Sequence, residues 1–309
     1  MKSRRAPKRL EYFDRGCAAY ERVTGVAGVY LCPLCGDAFT QDDVESDRLT
    51  LEDVPPKSVG GRPMCLTCRP CNSAGGHQVD ATVAELARMG RLHDAANRRG
   101  TPFSARAHVP TLAGRVNARL SYDKNGVRSL KAYRSENDPR ILESAATVTS
   151  VRVSVPFRVS ERVAFVSFLR AGYLAAFSFG GYSFALDGRL DAVRRQIATP
   201  DADIIPQSAM MIVPRDAVPS NAPFVGKSIR PILATAVCLT IAPRAYRGAI
   251  MVMLPPLADG DDFYDRLTPL YPPGEGRRRQ ETEVVAWGWP TGPEHQWDYP
   301  IPEDLGQPR

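Results

Sequence analysis

The sequence predicts an α+β chain: a small, cysteine-stapled hairpin-and-helix domain followed by a larger mixed α/β C-terminal domain. Three observations carry that expectation. Five of the seven cysteines crowd between Cys32 and Cys71. Around them, short β-prone runs separated by Pro/Gly turns give way to helical periodicity. Further on, "IRPILATAVCLTIAP" and "YRGAIMVMLPP" are apolar enough to pair inside a sheet. With 309 residues, 43% of them apolar, the chain is long enough for two domains or one large one with a real core.

Each element follows in order. Residues 1–10 read as a flexible basic arm carrying Lys2, Arg4, Arg5, Lys8 and Arg9. "EYFDRGCAAYERVTG" then puts Tyr12, Phe13, Cys17, Tyr20 and Val23 on one side of a short helix. "GVYLCPLCGDAFT" is a strand, a cysteine turn and a second strand; "LTLEDVPPKSVGGRPMCLTC" is a strand, a Pro/Gly loop and another strand. From Cys71 the spacing of Val79, Val83, Leu86, Ala87 and Met89 predicts a helix running to about Asn97, stopped by "RRGTPF". Lys124-Asn125-Gly126 predicts a hairpin turn, and "ATVTSVRVSVPF" alternates like a strand. "SERVAFVSFLRAGYLAAFSFGGYSF" reads as a buried central helix capped by Ser160 and ended by Gly180-Gly181, within which Arg170 needs a partner. "LDGRLDAVRRQIATPD" is a second amphipathic helix, and the tail from Pro272 reads as a surface wrap. The domains expected are therefore 1–27, 28–99, 100–271 and 272–309.

The net charge of +6 fits a polyanionic partner, since cations bind phosphates by counterion release. No run of 18 uncharged apolar residues exists, so no membrane-spanning helix is expected. The basic start lacks a following apolar run, which argues against a secretory signal. Seven cysteines in a chain of this length are too few for a disulfide framework. Their clustering points to metal binding in a reducing, cytoplasmic compartment. Cys32-Pro33-Leu34-Cys35 offers two thiolates from one tight turn, the spacing of a tetrahedral zinc site. The second pair is open by spacing alone, because "CLTCRPC" contains both Cys65/Cys68 and Cys68/Cys71.

The order of C-x-x-C, then "LTLEDVPPKSVGG", then "LTCRPCNSAGGHQVD", resembles the HNH endonucleases. The resemblance covers about residues 28–90. The branch it resembles most carries E-H-(V/I)-x-P-K-x-x-G-G followed by C-x-x-C-N-x-x-x-G-x-x-x-D. It implies a zinc-bound ββα-metal domain with Cys32, Cys35, Cys68 and Cys71 as ligands of structural Zn2+. It also implies a separate catalytic divalent ion, Mg2+ or Mn2+, and hydrolysis of DNA phosphodiester bonds, in bacterial defence or mobile-element biology. Position 53 is where that family places its general base, Asn72 falls at the last H/N of the motif, and Asp80 at its downstream acid. Glu52 precedes the base, His77 flanks the site, and Lys57 is placed to contact a phosphate. This sequence departs from the pattern at the base itself, where Asp53 replaces histidine. With reference pKa values of about 3.9 and 6.5, the exchange costs on the order of 20-fold in base strength. Aspartate therefore retains part of a general-base effect worth about 10² to 10⁴. The competing expectation is a catalytically inactive zinc module that binds nucleic acid or protein.

Overall fold

The computed structural model describes residues 5–97, 101–111, 114–145, 152–214, 218, 224–241, 248–256, 262–270 and 283–286. Its architecture is mixed α and β, with small sheets and several helices. The contacts divide into two compact units: Glu85–Val159 forms one, and the chain before and after it forms the other.

In the first unit, α1 (Arg5–Thr24) buries Tyr12, Phe13 and Cys17, and Gly25 at φ 77° ends it by donating to the Glu21 carbonyl. Arg5–Leu10, expected in a flexible arm, are thus helical, while residues 1–4 lie outside the described residues. The two-residue strands β1 (Tyr30–Leu31) and β2 (Ala38–Phe39) pair around the first cysteine turn. A short helix, α2 (Gln41–Glu45), follows; its Asp43 carboxylate accepts the Thr40 N–H at 2.8 Å. Then β3 (Leu49–Val54) and β4 (Arg62–Cys68) form an antiparallel hairpin with a bulge at Met64, because Glu52 faces Cys65 while Asp53 faces Pro63. The helical segment after it is continuous: α3 (Arg69–Ala74), one π turn (Gly75–Asp80), and α4 (Ala81–Asn97), which carries the chain into the second unit. Val79, Val83 and Ala87 are buried as their spacing predicts, but Met89 is exposed.

α6 (Glu161–Ala185) is the core of this unit. Ser160 caps it by accepting the Val163 N–H, and almost every residue from Ala164 on is buried. It is long and apolar enough to span a membrane, yet 94% of its most apolar window is buried inside the fold. Gly180-Gly181 does not end it; Gly181 kinks it at φ 59° and the helix resumes to Ala185. Gly172 lets it approach the sheet closely, since a Cβ there would lie 2.9 Å from Val252. α7 (Asp191–Ala198) follows as the expected second helix. The antiparallel sheet has the order β12-β9-β10-β11-β8. Its strands are β8 (Met210–Pro214), β9 (Phe224–Arg230), β10 (Ala234–Thr240), β11 (Gly248–Leu254) and β12 (Glu283–Ala286), and the two apolar runs pair at its centre as β10 and β11. Helix α8 (Phe263–Leu270) precedes β12, which belongs to the tail read as a surface wrap and pairs with β9; the rest of that tail lies outside the described residues.

The second unit is an antiparallel sheet of β5 (Phe103–Thr111), β6 (Gly114–Tyr122) and β7 (Arg128–Ala132), with α5 (Pro139–Ala145). The predicted turn joins β6 to β7: Asp123 Oδ1 accepts the N–H groups of Asn125 and Val127, each at 2.8 Å. The strand expected in "ATVTSVRVSVPF" is reduced, over residues 152–157, to one bridge between Ser154 and His108; residues 146–151 lie outside the described residues.

A buried ion pair joins the hairpin to α6. Arg170 donates from Nη1 and Nη2 to the two carboxylate oxygens of Glu52, at 2.9 and 2.7 Å, with both side chains almost fully buried. Removing one partner strands a buried charge, which costs about 3–5 kcal/mol. Arg170→Met and Glu52→Gln should each lower the urea-unfolding free energy by about that amount. The combined Glu52→Leu, Arg170→Met exchange should recover most of the loss, and strict additivity would contradict the pairing.

Candidate metal centre and adjoining groove

The first cysteine turn is closed by Gly36 N–H to the Cys32 carbonyl and by Cys32 N–H to the Asp37 carbonyl, both at 2.9 Å. The end of β4 delivers Cys68, and the first turn of α3 delivers Cys71. The four Sγ atoms of Cys32, Cys35, Cys68 and Cys71 all lie within 4.8 Å of one another, with Cys35 and Cys68 3.7 Å apart. A zinc ion with Zn–S bonds of about 2.3 Å needs sulfur–sulfur edges of about 3.8 Å, so the set fits structural zinc. Backbone N–H groups of Cys68 and Cys71 point at the sulfurs of Cys32 (3.4 Å) and Cys68 (3.5 Å), which favours thiolates. Crowded together, the sulfurs divide their protons unequally. A hydrogen bond with Cys35 holds the Cys32 thiol below its ordinary value, and one with Cys32 brings Cys68 down to about 7. Hydrogen bonding to Cys32 pushes Cys35 and Cys71 up.

Cys65 resolves the ambiguity in "CLTCRPC". It is fully buried, and burial, followed by the nearby Glu52 charge, drives its thiol well above the usual range. Its Sγ is not among the four clustered sulfurs, and that geometry leaves it out of the ligand set. Among the described residues, Cys32, Cys35, Cys68 and Cys71 are the one group of His, Cys, Asp or Glu atoms close enough to hold an ion.

The remaining sequence-selected residues fall into three places. Glu52 belongs to the interior, where Thr67 Oγ1 also donates to it at 2.9 Å. Asp80 joins the same interior group: it accepts from Ser167 Oγ at 2.8 Å and lies 3.9 Å from Arg170 Nη1. Burial raises the Asp80 carboxyl, with Arg170 and Ser167 pulling the other way. Burial likewise works against the Arg170 charge, but Glu52 and Asp80 outweigh it and the guanidinium stays protonated. Gly75 makes room for this group, since a Cβ there would sit 2.6 Å from the guanidinium carbon. Asp53, half-buried, follows Glu52 on β3, where strand alternation turns it to the opposite face. Lys57 is exposed on the turn Lys57–Val59. The backbone of His77 lies in the π turn; its side chain is outside the described residues.

Asn72 lies at the third place, a groove of about 590 Å3 lined by Arg9, Asp47, Thr50, Arg69, Asn72 and Ser73, among others. Its Nδ2 donates to Thr50 Oγ1 (2.9 Å) and to the Leu51 carbonyl (3.1 Å). The carbonyl acceptor fixes the amide's orientation, so Oδ1 is committed to neither bond and is the end available to a ligand. Arg9 pairs with Asp47, which holds the Asp47 carboxyl below its ordinary value, while the buried Arg9 Nε has no hydrogen-bond partner. Arg69 is exposed at the start of α3.

Sequence reasoning did not single out Arg9 or Arg69 as site residues. Arg9 is hidden in a generic basic run, and Arg69 sits between two cysteine pairs that dominate the motif. No family model, curated protein or solved structure matches the chain.

The purified protein should carry one zinc per chain by atomic absorption. Cys35→Ser should lose it, and chelation should lower the melting temperature, because ligand binding and folding are coupled. Cys65→Ser should keep the metal; zinc loss in that variant would move the ligand assignment.

Proposed function

We propose that the chain is a nucleic-acid phosphodiester hydrolase of the HNH kind, acting on DNA, with a zinc-stapled ββα segment as its working part. One observation carries the reading: a zinc-competent four-cysteine cluster staples a hairpin directly to the helix bearing Asn72, whose amide opens into an arginine-flanked groove. The order of these parts is the one the motif resemblance calls for.

In this reading Arg9 and Arg69, which line the groove, bind the phosphodiester backbone. Asn72 Oδ1, at the groove, is a hard oxygen donor of the kind Mg2+ or Mn2+ takes. Glu52 does not fit as a ligand of such an ion, because Arg170 already holds both its oxygens. A bound divalent ion supplies charge stabilisation at the scissile phosphate. Asp53 accepts the proton of the attacking water, more weakly than histidine does. Exposed Lys57 contacts a flanking phosphate.

A second reading is favoured by that same Glu52–Arg170 pair. With the carboxylate before position 53 withdrawn into the core, the hairpin and zinc site serve as a catalytically silent module that binds nucleic acid or protein.

Plasmid cleavage with Mg2+, Mn2+ or Ni2+ separates the two. The hydrolase reading expects divalent-dependent nicking that Asp53→Ala and Asn72→Ala each reduce by about 10² or more, and that Asp53→His raises by up to about 20-fold. If neither the wild type nor Asp53→His cuts with any of the ions, the silent module is the function.

A further inference from the structure

We propose that the outward face of the three-stranded sheet in the second unit is a platform that holds a nucleic-acid strand through its phosphates. The proposal rests on the reading that this chain acts on nucleic acid, and it assigns to a separate surface the task of holding it.

The register puts three cations in a row. Arg106 on β5 faces Arg119 on β6, which faces Lys131 on β7. All three are exposed, whereas Ala105, Ala107, Val116, Ala118 and Leu120, pointing the other way, build the core. Like charges directly opposite on neighbouring strands repel, so this row works against folding. Only partial neutralisation is present. Arg106 pairs with Glu136 at 2.9 Å, but among the described residues Arg119 and Lys131 have no carboxylate partner. What holds the arginines instead is Tyr133. Their guanidinium carbons lie 5.5 and 5.8 Å from its ring centroid, and Arg119 Nε donates to its hydroxyl at 3.2 Å. Such contacts orient a cation and leave its charge in place.

The neighbouring rows suit the same ligand. Ser104 faces Ser121, which faces Ser129, adding hydroxyl donors on one side of the cations. Arg115 lies on the same outward face of β6. With strands about 4.8 Å apart, the cationic row crosses about 10 Å, or roughly three nucleotide steps of 3.4 Å. The wider charge distribution agrees. Residues 85–159 hold fourteen Lys and Arg against six Asp and Glu, an excess of eight, while the whole chain has an excess of six. The rest of the protein is therefore slightly acidic. A membrane surface is the poorer fit, because this face presents no large aliphatic side chain for insertion and its Tyr133 ring is engaged by Arg106 and Arg119.

The test is fluorescence anisotropy of the full chain with a labelled duplex of about 30 base pairs and the matching single strand, from about 50 to about 200 mM salt. The variants are Arg106→Gln/Arg119→Gln/Lys131→Gln and, as a charge-matched control in the other unit, Arg22→Gln/Arg62→Gln/Arg195→Gln. The row variant should bind at least about 10-fold more weakly, with a log–log salt slope shallower by about two to three; the control should stay near wild type. It should also melt no lower than wild type, since it relieves repulsion. The milder Lys131→Gln should give part of the affinity loss if the triple variant folds poorly. Equal loss in row and control variants, an unchanged slope, or row-dependent binding of phosphatidylserine vesicles without DNA binding would each overturn the platform. The hydrolase reading fails separately: if no protein cleaves while binding still depends on the row, the platform stands without it.

Discussion

The ion pair between Arg170 and Glu52 is the constraint to which the first unit is built. A guanidinium in the interior demands a fixed, fully donated partner, or the desolvation cost is left uncovered. The chain meets the demand from three distant segments. β3 brings Glu52, the helix after the hairpin brings Asp80 and the side-chain-free Gly75, and α6 brings Arg170 with Ser167 one turn earlier. Because the fork geometry of arginine tolerates little sliding, the pair fixes the register of α6 against the hairpin. Apolar packing around it, which is less directional, then fills in. Whether a polar pair gives specificity or only stability differs among proteins. Here it joins segments 118 residues apart.

A second set of contacts carries the same logic to the metal centre. The cysteine turns are too short to bury much apolar surface of their own. Four sulfurs placed closely enough to share one ion, and tyrosine hydroxyls that satisfy the surrounding backbone, stand in for that burial. Tyr173 donates to the Pro33 carbonyl at 2.7 Å, Tyr182 to the Leu31 carbonyl at 2.6 Å, and Tyr30 to the Leu66 carbonyl at 2.7 Å. Two of these come from α6 and hold the zinc-competent turn; the same helix holds the hairpin through Arg170 and through Ser178, which donates to the Met64 carbonyl at 3.3 Å. Its aromatic density is core packing with polar tips.

Local rules made much of this legible in advance. Cysteine spacing located Cys32 and Cys35 and narrowed the second pair to two choices, Ser160 located the start of α6, and the apolar runs around Val237 and Val252 located the centre of the sheet. What stayed hidden depends on distance along the chain. Arg170 announced that it needed a partner, but nothing near it in sequence named Glu52, and the motif drew attention to Glu52 for a chemical role. The choice between Cys65 and Cys71 as the partner of Cys68 stayed open by spacing and is decided by which sulfurs the fold clusters. The extent of α1 was masked by the basic residues before Leu10, whose charge reads equally well as a helix surface or a loose arm. "RVSVPF" alternates like a strand, yet over the described residues pairing reaches only Ser154, because alternation shows a preference and a neighbouring edge must still accept it.

The π turn at Gly75–Asp80 inserts an extra residue between the part of the helix that faces the groove and the part that enters the core. Each residue of an α-helix turns the chain by about 100°. The turn therefore acts as a phase setting: it lets Asn72 address β3 while Val83 stays buried, on faces a regular helix would not offer together. With every residue kept but the stretch relaxed to an even α-helix, one of the two would swing out of place. A substitution that removed the π geometry at constant length would therefore change what the groove presents without touching a residue that lines it.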